Sequence, residues 1–374
     1  MLFAATEEQR LIEDSLERVM SDQWDRCQSG KVTSTELVEL PVWKSLKELG
    51  LISAWLPEDA GGAGSGVRAL LALARVIGRH LLPAPYLSSA VLCSAILSRL
   101  PDAEIRELLE KVAAGDARLA LAIYEAGQRY DFHEPKTVAQ HNDGGITLSG
   151  CKTWVLEAAQ ADMLIVSAKG PCGTSLYLVP TDTSGVTLQE YAAVDGTPMA
   201  SVVLDNVAIS SEGQIADATQ SDAVLDYGIT MVAFAISSEV LGACEAVHEQ
   251  TLDYMRIREQ FGRPIAKFQA LQFRMADLHV EIEMLRSLVL GAMNKLEEGK
   301  GSQAGADVAA AAAMAARVGD LVGREAIQMH GAIGMTESLG IGRYLMRINT
   351  ICRLFGDQPH FQSRYLELTE GVLK

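Results

Sequence analysis

The sequence predicts an α+β chain in three parts, ordered helices, strands, helices. Three observations carry this. Apolar residues recur at helical spacing over roughly the first third. Short β-rich runs bounded by turn residues then follow, to about Ser210. The helical period returns near Ala216 and lasts to the end. A length of 374 residues exceeds one hydrophobic core, so several sub-structures are expected. The divisions read as an all-helical domain at 1–116, a small β-barrel or sandwich at 117–212 and a helical domain at 213–374.

Within the first part, Thr6-Glu7-Glu8-Gln9 has the capping-box pattern, Thr at the N-cap and Gln at N3. Leu11, Ile12, Leu16, Val19 and Met20 then share one helical face. Trp43, Leu46 and Leu49 repeat at the same spacing, and Gly50 is a natural stop. Gly61–Gly66 has a phosphate-loop look, but no strand precedes it, so it reads as a connector. Helices are expected over Val67–His80, Pro83–Leu100 and Ala103–Ala114.

In the middle part, strands are expected at Thr137–Gln140, Ile146–Leu148, Cys151–Val155, Met163–Ala168, Ser175–Val179, Val186–Leu188 and Ser201–Leu204. Asn142-Asp143-Gly144-Gly145, Ser184-Gly185 and Asp195-Gly196 mark turns between them. In the last part, Ile229–Ile236 is nearly all apolar, which predicts a helix buried on most sides. Gly299–Gly305 is a break, and the alanine-rich Val308–Ala316 lets helices approach closely.

Charge narrows the function classes. Lys and Arg number 32 against 48 Asp and Glu, a formal charge of −16. Nucleic acid is disfavoured, since that affinity comes from clustered Lys and Arg. A membrane surface is disfavoured for the same reason. The six cysteines show no metal-ligand spacing, so no metal site is expected. With no apolar leader at the N-terminus, a cytoplasmic protein is the expectation.

One segment runs against the acidity. Tyr254–Arg274 carries five cations, Arg256, Arg258, Arg263, Lys267 and Arg274, and one acid, Glu259. Helical spacing would put Tyr254, Arg258 and Phe261 on one face. A guanidinium beside an aromatic ring suits an anionic, planar ligand such as a dinucleotide. A solvated basic face is the competing reading.

Here the residues resemble a known family. REQFGRPIAKFQALQFRMADL is similar to the helix-turn-helix segment of flavin-dependent acyl-CoA dehydrogenases. TEEQRLIEDSLERV and ELGLISAWLPEDAGGAG resemble the start of that family. LSGCKTWVLEAAQADMLIVSA resembles its barrel, and AIQMHGAIGMTE its C-terminal cofactor segment. The resemblance implies a helical domain, a barrel and a C-terminal four-helix bundle. It implies FAD, lying between the barrel and the C-terminal helices, with a neighbouring chain completing the adenine end. By motif, Arg258 would meet the pyrophosphate, and Phe261, Gln269 and Gln328 the nucleotide. Gly331 would allow close backbone approach, although a second glycine of the family is Ala332 here. Trp154 would lie beside the flavin ring, or serve as an ordinary barrel aromatic.

The implied activity is α,β-desaturation of an acyl-CoA, with a carboxylate taking the α-proton and the β-hydrogen leaving as hydride to flavin N5. The usual glutamate is missing. Aligning on Arg347 puts Arg353 at its place, and aligning on Gly356 puts Phe355 there. Asp357 and Glu239 are the candidate bases, and a chain with no base of its own is the third possibility. The loop that touches flavin and substrate in the family also departs, with Tyr124 for a threonine and Tyr130, at the substrate side, for a serine. Leu156 replaces a flavin-contacting threonine. His330 and His360 read as packing residues. EAGQRYD, SSEVLGACEAV and LFGDQPHF are most similar to the branch holding the pimeloyl-CoA dehydrogenase small subunit and the paired-chain bacterial steroid side-chain dehydrogenases. That branch implies a bulky, dicarboxylic or steroid-derived acyl group. Implied partners are an electron-transfer flavoprotein and, in the paired-chain branch, a second acyl-CoA dehydrogenase chain, in a homo- or hetero-oligomer (a dimer or tetramer). An oxygenase or a binding protein on the same fold is a further alternative.

Overall fold

The computed structural model describes residues 7–24, 32, 34–142, 145–299, 301–336 and 339–370. The capping residue Thr6 and the turn residues Asp143 and Gly144 lie outside them. The first part holds α1 (Glu7–Gln23), α2 (Ser34–Leu37), α3 (Pro41–Glu48), α4 (Gly66–His80), α5 (Ser94–Leu97) and α6 (Ala103–Ala114). Local chemistry sets several ends. Pro41 opens α3 at its first turn, and Gly50 follows its end at φ 66°. Asp102 caps α6 by accepting from the Glu104 N–H at 2.7 Å, and Gly115 ends it in the left-handed region. The expected helix over Pro83–Leu100 is shorter than its pattern. It begins as a π-helical stretch at Leu87–Cys93 and runs into α5, because Pro83 and Pro85 hold the preceding turn out of helix.

The strands are β1 (Leu119–Ala122), β2 (Val138–Asn142), β3 (Gly145–Leu156), β4 (Met163–Gly170), β5 (Gly173–Pro180), β6 (Val186–Ala192), β7 (Pro198–Ile209) and β8 (Gln214–Ala216). They form one sheet in the order β6-β7-β3-β2-β4-β5-β8, with β1 beside β4. The two strands expected at 146–148 and 151–155 are one strand, β3, broken by irregular register near Leu148–Gly150 and Lys152–Val155. β1 and β8 are not among the strands expected from the sequence pattern. The sheet encloses its own core, with Leu148, Val155, Leu164, Val166, Val202 and Leu204 all buried.

The last part holds α7 (Ser221–Ile257), α8 (Gln269–Glu297), α9 (Gly301–His330), α10 (Ile341–Ile351) and α11 (Gln358–Glu370). By length and composition α7 could cross a membrane, yet 78% of its apolar window is buried inside the fold. It crosses α4 backbone to backbone. A Cβ on Gly78 would fall 1.9 Å from the Glu239 carbonyl oxygen, and one on Gly242 1.9 Å from that of Arg75. Only glycine permits that approach. Tyr254, Arg258 and Phe261 do not share a helical face, contrary to the spacing. α7 ends at Ile257, and Gln260 pairs with Arg263 across a two-residue hairpin turn. Phe261 (φ 52°) and Gly262 (φ 77°) take the positive φ angles such a turn needs.

Candidate cofactor and substrate site

One edge of the helical bundle gathers the residues of the basic segment. Arg258 caps the end of α7, Phe261 sits on the hairpin and Gln269 opens α8. The end of α9 joins them because the Tyr254 ring stacks on His330 at 4.3 Å, which brings Gln328 and Gly331 alongside. His330 is buried and spends Nδ1 on the Ala326 carbonyl, so it is a packing residue. Gln269, Gln328 and Arg258 are exposed, and the Phe261 ring is 90% exposed. Three other cations of the segment are engaged. Arg256 pairs with Asp253 and Arg274 with Glu325, while Arg263 lies over the Phe268 ring at 4.3 Å. Arg258 has no such partner among the described residues. Gly331 has φ 68° and open space where a Cβ would stand. An unpaired guanidinium, a bare ring, two free amides and an open glycine form a donor set suited to a dinucleotide.

On the barrel side, Trp154 lies in the irregular part of β3 at φ 57°, with its ring 60% exposed. Its backbone N–H donates to the Tyr191 hydroxyl at 2.9 Å. A ring thrown out of a bulge does not pack the barrel, which excludes the ordinary core role. Leu156, two residues on, is buried.

The Tyr124–Asp131 loop is pinned from beneath. Glu125 accepts from the buried Lys152 ammonium at 2.7 Å and from the Thr137 N–H and hydroxyl. Burial lowers the Lys152 pKa to about 8, although Glu125 opposes the shift. So held, Tyr124 meets Phe132 edge-on at 4.9 Å and Phe355 at 6.3 Å. Its hydroxyl is buried without a hydrogen-bond partner. The Tyr130 ring meets that of His360 at 4.9 Å, tilted by 48°, and its hydroxyl donates to the Arg353 carbonyl at 3.3 Å.

The two candidate carboxylates are separate and both engaged. Glu239 is 1% exposed; it accepts from Arg347 Nε at 2.6 Å and from the Tyr86 hydroxyl at 2.5 Å. Arg347 also reaches Asp195 at 3.2 Å and the Thr197 hydroxyl at 2.9 Å. Asp357 caps α11, accepting from the His360 N–H at 3.0 Å, while its other oxygen accepts from Arg129 at 3.1 Å. Phe355 is buried, and a Cβ on Gly356 would press on the Phe361 ring at 2.6 Å. Outside this aromatic wall lies a cavity of about 500 Å3, lined by Arg129, Tyr130, Asp226, Asp357, His360 and Arg364. Inside it, between α7, α9 and the 351–356 segment, only about 10 Å3 remains. No group of metal-ligating side chains occurs among the described residues.

Sequence reasoning passed over Phe132, Arg129 and Arg347 as site-shaping residues. Only the pairing of Arg347 with a buried acid could have flagged the last, and that pairing spans 108 positions.

Comparison with known proteins agrees with this architecture. The acyl-CoA dehydrogenase N-terminal, middle and C-terminal domains match residues 6–116, 120–207 and 223–356. The chain belongs to the acyl-CoA dehydrogenase family. Members are FAD-dependent oxidoreductases acting on CH–CH bonds, so the expected enzyme class and cofactor stand with the family. The acyl-CoA dehydrogenase FadE27 of Mycobacterium tuberculosis (strain H37Rv) is 28% identical over 311 residues, covering 82% of this chain and 81% of that one. A solved Tcur3481–Tcur3483 steroid acyl-CoA dehydrogenase is 28% identical with a TM-score of 0.86, covering 98% of this chain and 99% of its own. An FAD complex of PigA shares the fold at a TM-score of 0.90 and 24% identity, with both chains fully covered.

Proposed function

We propose that this chain is the cofactor-completing subunit of a two-chain, FAD-dependent acyl-CoA dehydrogenase whose second chain carries the base. One observation carries the reading. Phe355, which stands at the carboxylate's place when the segment is aligned on Gly356, is a buried phenyl ring packed towards Tyr124, while the Arg258 edge stays open. Beside Phe355 only about 10 Å3 remains, whereas the nucleotide edge is available. The solved steroid enzyme named for two chains supports the same reading. In the assembly, Arg258 would hold the FAD pyrophosphate, with Phe261, Gln269, Gln328 and Gly331 around the nucleotide. Bound flavin supplies the acceptor for the β-hydrogen of the acyl group. The second chain's carboxylate takes the α-proton. A bulky, dicarboxylic or steroid-derived acyl group is the substrate class, and an electron-transfer flavoprotein is the acceptor.

The test is to purify the chain alone and together with a base-bearing acyl-CoA dehydrogenase chain of the same genome. Alone it is expected to be colourless, and paired it is expected to be yellow and to bleach with acyl-CoA. Arg258→Ala should weaken flavin binding about 10- to 100-fold, the worth of one charge-assisted contact of about 1.5–3 kcal/mol. Flavin reduction by the chain alone would overturn the reading.

A second reading has one observation in its favour. The cavity of about 500 Å3 persists, and Asp357 stands on its wall. If this chain desaturates its own substrate, Asp357→Asn abolishes reduction. Under the first reading Asp357→Asn and Glu239→Gln both leave reduction in the pair intact.

A further inference from the structure

Trp154 holds a backbone conformation that its residue type disfavours. Lys152 pairs with Val202 on β7 and Val155 with Ala200, so Thr153 and Trp154 together stand opposite Ser201 alone. That is a β-bulge, and it puts the bulky Trp154 at φ 57°. Such a conformation persists where its surroundings fix it. The bulge also takes two amides out of the ladder, and both find partners elsewhere. The Thr153 N–H donates to the Tyr124 carbonyl at 2.8 Å, and the Trp154 N–H to the Tyr191 hydroxyl at 2.9 Å.

Tyr191 comes from β6, on the far side of β7 from β3. It is the next-to-last residue of that strand, just before the turn into β7. The turn is ordered by its own bonds. Asp195 accepts from the Thr197 N–H at 3.1 Å and from its hydroxyl at 2.7 Å, and the Ala193 N–H donates to the Thr197 carbonyl at 2.9 Å. Arg347 ties the same turn to the helical bundle through Asp195 and Thr197. The Tyr191 hydroxyl is therefore placed by the bundle as well as by the barrel. The amide it holds lies at the surface, where water would satisfy it nearly as well. The contact therefore adds little to stability. What it adds is a fixed place for the backbone beneath the indole ring, which belongs to neither apolar core.

We infer that Tyr191 is the positioning residue of Trp154: its hydroxyl fixes the bulge so that the indole stands out of the barrel as a platform for the planar ring of the flavin. This rests on the cofactor reading above for the identity of that ring, and adds the residue that aims the platform.

Tyr191→Phe tests it, since it keeps the ring and removes the hydroxyl. Labelled with 5-fluorotryptophan, the chain gives a fluorine resonance for each of Trp24, Trp43, Trp55 and Trp154, and Trp154→Phe assigns the last. Tyr191→Phe is expected to shift the Trp154 resonance by more than its linewidth and to broaden it. The other three should stay in place, and the thermal midpoint should not change. Tyr365→Phe, on α11 and of similar exposure, should move nothing. In the pair with a base-bearing acyl-CoA dehydrogenase chain, FAD should move the wild-type Trp154 resonance. There Tyr191→Phe should weaken FAD binding about 3- to 10-fold, the worth of one neutral hydrogen bond. A Trp154 resonance indifferent to Tyr191→Phe would overturn the inference. So would a lowered midpoint with all four resonances displaced, which is the signature of a structural role. A yellow pair whose FAD leaves the Trp154 resonance where it was would overturn it as well. A pair that never turns yellow would sink the two-chain reading instead, and the chain alone would still decide whether Tyr191 fixes Trp154.

Discussion

The Tyr124 hydroxyl is buried with nothing to bond, inside a wall made by Phe132 and Phe355. An unmet buried hydroxyl costs about 1–3 kcal/mol, and removing it leaves the ring packing intact. Tyr124→Phe is therefore expected to leave stability unchanged or raise it by about 1 kcal/mol, read from the urea midpoint. A loss of more than 1 kcal/mol would mean that the hydroxyl is bonded in solution. The same residue shows what the sequence could and could not say. Its departure from the family's threonine was visible in YEAGQRYD, and so was the loss of the glutamate near Gly356. That the two departures meet as one aromatic wall was not visible. They are 231 positions apart. Asp357 shows a related limit: an acid in that stretch of sequence is, in three dimensions, also the cap of α11. Local pattern identifies residue types, whereas the lone pairs that are already taken depend on long-range packing.

Element by element, periodicity located the long helices closely because their apolar faces dominate. It erred where backbone chemistry overrides side-chain pattern. The helical spacing that joins Phe261 to Tyr254 runs a few residues past the end of α7 into the hairpin at Phe261–Gly262, and the π-helical stretch at Leu87–Cys93 hides within an apolar segment. The α4–α7 crossing is the sharpest case. Gly78 and Gly242 look like weak helix positions, which lower helical propensity by about 1 kcal/mol each. Their value lies in contact with a carbonyl on the facing helix. Gly242→Ala should destabilise the chain by about 2–3 kcal/mol, because the Arg75 carbonyl has no room to move. Gly291→Ala on α8, where a Cβ would meet nothing within 4 Å, should instead stabilise it by about 0.5–1 kcal/mol. Thermal melts of the two variants compare them directly. Equal effects would mean that the crossing relaxes.

Across the whole molecule, Arg347 on α10 joins the three parts. Through Glu239 it meets Tyr86 of the N-terminal part, and through Asp195 and Thr197 it holds the β6–β7 turn of the barrel. A further acid, Glu157, lies close enough to feel both Arg347 and Glu239. Arg347 already pairs with Glu239 and Asp195, and Glu157 is held towards its protonated form. Burial raises its pKa to about 8, against the pull of Arg347 and Arg118. The sign of the pH effect follows. Below the ordinary carboxyl range of about 4.5, Glu157 is neutral both folded and unfolded, and it costs nothing. As pH rises towards 8 the unfolded chain ionises first, so stability is progressively lost. Glu157→Gln keeps the neutral shape and has no proton to release. The variant should match the wild type near pH 5 and exceed it near pH 8, by on the order of 2–4 kcal/mol. Other titrating groups, the buried Lys152 among them, are common to both proteins and cancel in the difference. Parallel stability curves from pH 5 to 8 would show that Glu157 is ionised throughout. The cations Arg347 and Arg118 would then outweigh the burial of Glu157.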